Sequence, residues 1–201
     1  MEDFSFLIDI YRDLYSWLAA TTPGEIPYIR VYKYYDKKVW QKVKSKLVEL
    51  DNKKNKNNIE KEFIKCRYVG TAYRVLCYNS KRKLGEVYPI SYYQSCSKTK
   101  KGIKEVPLCG NRILVKLYIK KKYYAIDIFK LLEFMVKYNL IPKDRDMFQF
   151  YNIYNLERYE KEEEVVVPLL KEYINNVLLI DKNGETIKQI EKEKWFREKI
   201  R

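Results

Sequence analysis

The chain contains no histidine, only six glycines among 201 residues, and no pair of cysteines two residues apart. Each absence removes chemistry. Without imidazole there is no Ser-His-Asp or Cys-His nucleophile, no histidine general base and no zinc site of the Cys-His type. With so few glycines there is neither a GxxxxGK[ST] nor a GxGxxG phosphate loop. Long apolar runs are missing too. Glu2 and Asp3 stand where a signal peptide carries basic residues, and Asp9, Arg12 and Asp13 interrupt the apolar positions that follow. No signal peptide, transmembrane segment or membrane insertion is therefore expected.

What is present is positive charge. Lys+Arg number 41 and Asp+Glu 27, a net of +14, while 46% hydrophobic residues suffice for a core. Lysine, asparagine, isoleucine and tyrosine have AT-rich codons, so base composition alone can generate much of this profile. The distribution is more informative than the total. Residues 28 to 125 carry 26 basic and 7 acidic side chains, a net of +19, whereas residues 1 to 27 net −4 and residues 126 to 201 net −1. Thirteen of the 20 tyrosines lie in the same central segment. Codon bias spreads charge evenly, but a polyanion-binding face concentrates it. In composition, with no alignable motif, the chain resembles small open reading frames of crenarchaeal viruses and plasmids. Its four glutamines and abundant Lys, Glu and aromatics match a thermophile's avoidance of thermolabile amides, although 12 asparagines oppose that reading.

Periodicity predicts the elements. Phe4, Leu7, Ile10, Tyr11, Leu14 and Leu18 recur at helical spacing over residues 3–20, as do Val39, Trp40, Val43, Leu47 and Leu50 over 37–50. Alternation over 29–35 reads as a strand, and 51–58 as a mobile polar loop. Strands are expected at 63–69, 72–78, 86–93, 112–119 and 123–126, with a long polar loop over 94–111. Asp127 caps a helix to Leu140 that Pro142 stops, and a short helix is expected at 169–175. Asn183-Gly184 joins 177–180 to 185–190 as a hairpin, and a charged helix closes the chain over 191–201. The expected fold is α+β, with a mostly antiparallel sheet over about 28–126 flanked by an N-terminal helix and C-terminal helices. It forms a single domain of 1–201, in which 1–126 is the basic β-rich core and 127–201 a largely helical remainder.

Few arrangements suggest chemistry. Cys66, Cys77, Cys96 and Cys109 are separated by 10, 18 and 12 residues, which disfavours a zinc site. Cys96 and Cys109 are the candidate disulfide. Closing that loop of about 14 residues would constrain the unfolded chain by ~3 kcal/mol. Asp144-Arg145-Asp146 is a metal-type DxD string that an exposed turn explains better. No catalytic residues, metal or cofactor are assigned. Basic residues beside tyrosines remain. Lys33, Arg67, Arg74, the tips Lys81-Arg82-Lys83 and Lys120-Lys121-Lys122, and Lys98, Lys100 and Lys101 of the long loop form the candidate phosphate-contacting set.

The expected function is non-enzymatic nucleic-acid binding, DNA or RNA, through this set. The alternatives are a viral structural or host-interaction protein that forms a homo-oligomer, disulfide-stabilised and tyrosine-rich at its contact, and a Mg²⁺-dependent nuclease.

Overall fold

The structure, a computed structural model, describes residues 2–19, 28–77, 93–104, 112–141, 161, 163–168, 173–181 and 183–191. The elements run α1 (Phe6–Ala19), α2 (Tyr28–Asn52), α3 (Asn58–Ile64), β1 (Arg67–Tyr68), β2 (Gly70–Cys77), β3 (Tyr93–Ser97) and α4 (Lys100–Lys104). They continue with β4 (Arg112–Ile119), β5 (Ala125–Asp127), α5 (Ile128–Lys137), β6 (Glu164–Pro168), β7 (Ile174–Ile180) and β8 (Thr186–Ile190). The fold is α+β, and every pairing described below is antiparallel. No helix among the described residues is long and apolar enough to cross a membrane.

The chain divides into two compact units, each built from two stretches: Met1–Tyr68 with Tyr124–Lys161, and Val69–Tyr123 with Glu162–Arg201. A left-handed residue stands within two positions of each crossing, namely Gly70 (φ 140°), Tyr124 (φ 52°) and Glu163 (φ 49°). The division expected near residue 126 falls inside β5. The C-terminal portion expected to be largely helical supplies three strands, because β-branched runs such as Val165-Val166-Val167 pair into a sheet.

The first unit is mainly helical. Leu7, Ile10, Tyr11 and Leu14 of α1 and Val39, Trp40, Val43, Leu47 and Leu50 of α2 are buried, as their spacing requires, and the two helices pack together. Phe4, Phe63 and Phe134 form a ring cluster with centroids 5.0 to 5.2 Å apart. The Phe4–Phe134 and Phe63–Phe134 pairs are edge-to-face and each adds roughly 0.5–1.5 kcal/mol beyond the area it buries. Residues 29–35 are helical, not a strand. Their alternation is only a few residues long, and the 3.6-residue period that begins at Val39 continues toward the N-terminus.

The polar stretch 51–58 is a tight connection rather than an excursion. α2 runs on to Asn52, and Asn57 opens α3 with a capping box, its side chain accepting from the Glu60 N–H while Glu60 accepts from the Asn57 N–H, each at 2.9 Å. That box, together with burial of Phe63, makes 58–64 helical where a strand from Phe63 was expected. Only Arg67 and Tyr68 pair as a strand, opposite Ile126 and Ala125. Asp127 caps α5 as anticipated, accepting from the Lys130 N–H. The helix ends earlier than expected, at Lys137, where Asn139 turns left-handed (φ 54°) and the Leu140 N–H donates to the Met135 carbonyl at 2.8 Å.

The second unit contains an antiparallel sheet in the order β6-β3-β2-β4-β7-β8. β4 spans the residues predicted for it, and Ile113, Val115, Leu117 and Ile119 are all buried on one face. The expected β7–β8 hairpin forms, with five residues, 181–185, between its strands. The Asp181 N–H donates to the Glu185 carbonyl, the Asp181 carboxylate accepts from the Asn183 and Glu185 N–H groups, and Gly184 alone of the Asn-Gly pair is left-handed (φ 89°). The long loop expected over 94–111 contains the end of β3 and all of α4. The expected short helix at 169–175 ends in strand, since β7 begins at Ile174. The expected strand 86–92, the C-terminal helix beyond Glu191 and Pro142 lie outside the described residues.

Candidate nucleic-acid interface

Strand register decides which of the basic residues meet. β2 pairs with β4 from Gly70↔Ile119 to Cys77↔Arg112, and with β3 at Tyr73↔Ser97. The chain therefore leaves β4 toward Lys120 and leaves β3 toward Lys98 at the same end of the sheet, where β2 begins. β3 and β4 flank β2, ~10 Å apart across it, and Ser97 faces Tyr73 whereas Ile119 faces Gly70, three residues or ~10 Å further along, so the two exits are about 14 Å apart. α4 packs on β2 and β3 at that end, carrying Lys100 and Lys101, both exposed. Lys120, Lys121 and Lys122 are exposed in and beside a 3-10 turn, with Lys122 Nζ 4.9 Å from the Tyr123 ring centroid. Tyr123 in turn packs on Tyr173 at 3.7 Å between centroids. Lys98 is half-buried, and its N–H donates to the Glu163 carbonyl at 2.9 Å. Thr99, whose hydroxyl caps α4 by accepting from the Gly102 N–H, donates to the Glu163 carboxylate. This local pinning fixes where the α4 lysines stand.

The other candidates are placed elsewhere. Lys81, Arg82 and Lys83 lie outside the described residues. Lys33 belongs to α2 in the first unit. Arg67 is bonded to the Asp51 carboxylate, its side chain 8% exposed, and its Cζ lies 5.6 Å from the Tyr124 ring centroid. A guanidinium so committed is not presented to phosphate. Burial and Asp51 push the Tyr124 hydroxyl pKa up. Arg74 lies opposite Val115, on the buried face of β2 and β4, and donates to the Ser95 carbonyl. Period-2 alternation explains this, since Tyr73 takes the other face.

That other face carries Lys116, Tyr118 and Asn176, which the sequence reading missed, beside Tyr73. Tyr73, Lys116 and Asn176 are successive cross-strand partners on β2, β4 and β7, and Tyr118 follows Lys116 on the same face, 50% exposed. The signal was available in Arg112–Ile119, where Lys116 and Tyr118 interrupt an apolar run at alternate positions. One end of this face is closed by a small cluster in which Tyr73, Val75 and Leu178 pack around buried Leu114 and Ile180.

Charge is unevenly divided. Residues 69–123, all in the second unit, hold 13 basic and 2 acidic side chains, a net of +11. In the first unit several cations are neutralised in place: Lys53 on Glu60 at 2.6 Å, Lys65 and Lys137 on Glu62 at 2.6 and 3.3 Å, and Lys46 on Glu49 at 2.8 Å. A groove of about 770 Å³ between α3 and α5 carries this mixed charge, with Glu62, Lys65, Glu133 and Lys137 around Phe134.

Cys96 is a free, buried thiol, so the expected bridge to Cys109 has no support; Cys109 itself lies outside the described residues. Burial pushes the Cys96 pKa up to about 12, with Arg74 nearby acting against that and Glu164 adding to it. Cys66 is also free and buried. Among the described residues no group of three or more Cys, Asp and Glu side chains is placed to hold a metal ion, and Asp144 and Asp146 lie outside them. No protein family, curated protein or solved structure matches the chain.

Proposed function

We propose that this protein binds nucleic acid without catalysing a reaction on it, chiefly through phosphates, using the basic end of the sheet in its second unit. The observation that carries this reading is the convergence of Lys98, Lys100 and Lys101 with Lys120, Lys121 and Lys122 across β2. At about 14 Å the two groups lie beyond the ~8 Å Debye length of physiological salt, so their fields add chiefly at low salt. A polyanion gains from both groups at once, and counterion release makes that gain salt-dependent. The composition is consistent with an origin in a virus or plasmid of a thermophilic archaeon. Fluorescence anisotropy of a labelled 20-nucleotide DNA or RNA tests the reading: binding at ~50 mM salt that weakens strongly by ~200 mM supports it, and no binding at ~50 mM refutes it.

A second reading, self-association, is favoured by one feature. β8 ends the strand order, and Thr186 to Gln189 are exposed, with Ile187 53% exposed. An uncovered edge strand is a template for pairing with another chain. Sizing chromatography distinguishes the two, since a monomer that binds nucleic acid counts against this reading.

A further inference from the structure

We infer that the sheet face beside the lysine cluster is a platform for unpaired bases, so that the ligand is a single-stranded nucleic acid. The inference rests on the reading proposed above and names the form of nucleic acid bound. Tyr73 lies opposite Lys116, and Tyr118 opposite Thr71, so the two rings are diagonal neighbours on one face. Diagonal positions of an antiparallel pair are ~7–8 Å apart. Bases stacked in a duplex advance by ~3.4 Å per step along each strand, and their faces are covered by their neighbours. Two rings at twice that spacing match a strand drawn out so that each base offers a face to one ring. Tyr118 is half exposed, which leaves its ring accessible. Tyr73 is held by its packing against Leu114 and Ile180, so little ordering remains to be done on binding.

Charge identifies the occupant. Lys116 stands beside both tyrosines, and Lys120 to Lys122 follow Tyr118 directly along the chain, so rings and cations form one continuous track. Among the described residues no ion pair engages these lysines, so a neutral or apolar partner would bring them no counter-charge. A single strand supplies phosphates to the lysines and π-faces to the rings. Asn176, exposed beside Lys116 on β7, adds a donor and an acceptor within reach of base edges.

The test uses the full chain, the variants Tyr118→Thr and Tyr118→Phe, and four labelled ligands of equal length: single-stranded DNA, single-stranded RNA, duplex DNA and an abasic single strand. Threonine keeps strand propensity while removing the ring, and phenylalanine keeps the ring. The expected result is that wild-type protein binds the single strands roughly tenfold more tightly than the abasic strand. Tyr118→Thr is expected to abolish that advantage without changing abasic binding, and Tyr118→Phe to retain it. DNA and RNA strands that bind alike place recognition in stacking and phosphate contact, and a preference for one of them adds sugar contacts to the same platform. Equal binding of all four ligands, unmoved by Tyr118→Thr, overturns the platform and leaves phosphate binding intact. No binding of any ligand at low salt overturns both readings.

Discussion

Tyr73 of β2 and Lys116 of β4 face each other as direct cross-strand partners, in a row that Asn176 extends onto β7. One position along β2, Arg74 turns to the opposite face and bonds the Ser95 carbonyl. Alternation thus separates two neighbouring residues that a linear reading of basic and aromatic character groups together. The proposed interface is set by which residues share a face and an end of the sheet.

The exposed lysines after β4 should carry affinity but little stability. The combined substitution Lys120→Gln, Lys121→Gln, Lys122→Gln is expected to weaken binding to a 20-nucleotide strand roughly tenfold near 0.1 M salt and to flatten the salt dependence by about 2 logarithmic units per decade. The thermal midpoint should be nearly unchanged, because surface substitutions typically stay within ~0.5 kcal/mol. Anisotropy titration and a melting curve on the same preparation check both halves.

Arg67 should behave in the opposite way. Its guanidinium is buried against Asp51 and the Tyr124 ring. Arg67→Gln strands the Asp51 carboxylate and is expected to cost about 2–3 kcal/mol in urea unfolding, with nucleic-acid affinity unchanged. A double substitution with Asp51→Asn should recover part of that loss, as a coupled pair requires.

The sequence revealed what local period controls and concealed what distant pairing controls. The buried faces of α1 and α2, the Asp127 cap and the limits of β4 all follow from spacing of apolar residues or a single capping side chain. Residues 29–35 misled because seven positions of imperfect alternation carry less information than the helical period adjoining them. The stretch 63–66 misled because Phe63 is apolar in either structure, and the deciding contacts are with Phe4 and Phe134, far away in sequence. At the proposed interface, individual basic residues were visible in the sequence, but their grouping was not. Register between β2, β3 and β4 brings Lys98 to Lys101 to the same end of the sheet as Lys120 to Lys122. The same register puts Arg74 on the buried face, and Asp51 neutralises Arg67 from 16 residues upstream.

Acid should weaken the α2–α3 connection. Hydrogen bonds from Lys53 and from the Asn57 N–H hold the Glu60 pKa below its ordinary value, and Lys65 and Lys137 do the same for Glu62. A depressed carboxylate contributes stability that is fully present above the ordinary glutamate pKa of ~4.3 and is lost as pH falls through the lower folded-state value. Lys53, raised by Glu60, contributes stability that is present below the ordinary lysine pKa and is lost as pH rises through its raised value. Urea unfolding from pH 7 to pH 3 is expected to show a smaller acid loss for Glu60→Gln than for wild type. Equal losses would remove Glu60 from the account.

The two described thiols should be inert in the native state. Cys66 and Cys96 are buried, and burial pushes both pKa values up, so neither presents thiolate near neutral pH. Iodoacetamide at pH 8 followed by peptide mass spectrometry is expected to label them only after denaturation. The unreduced digest should contain no Cys96–Cys109 cross-link.

The most direct measurement of the central claim is the slope of log K against log salt for wild-type protein on a single-stranded 20-mer. Six lysines grouped at one end of the sheet predict a straight line of slope about −4, at ~0.7 per phosphate contacted. No binding at the lowest salt, or an affinity that does not change with salt, would contradict it.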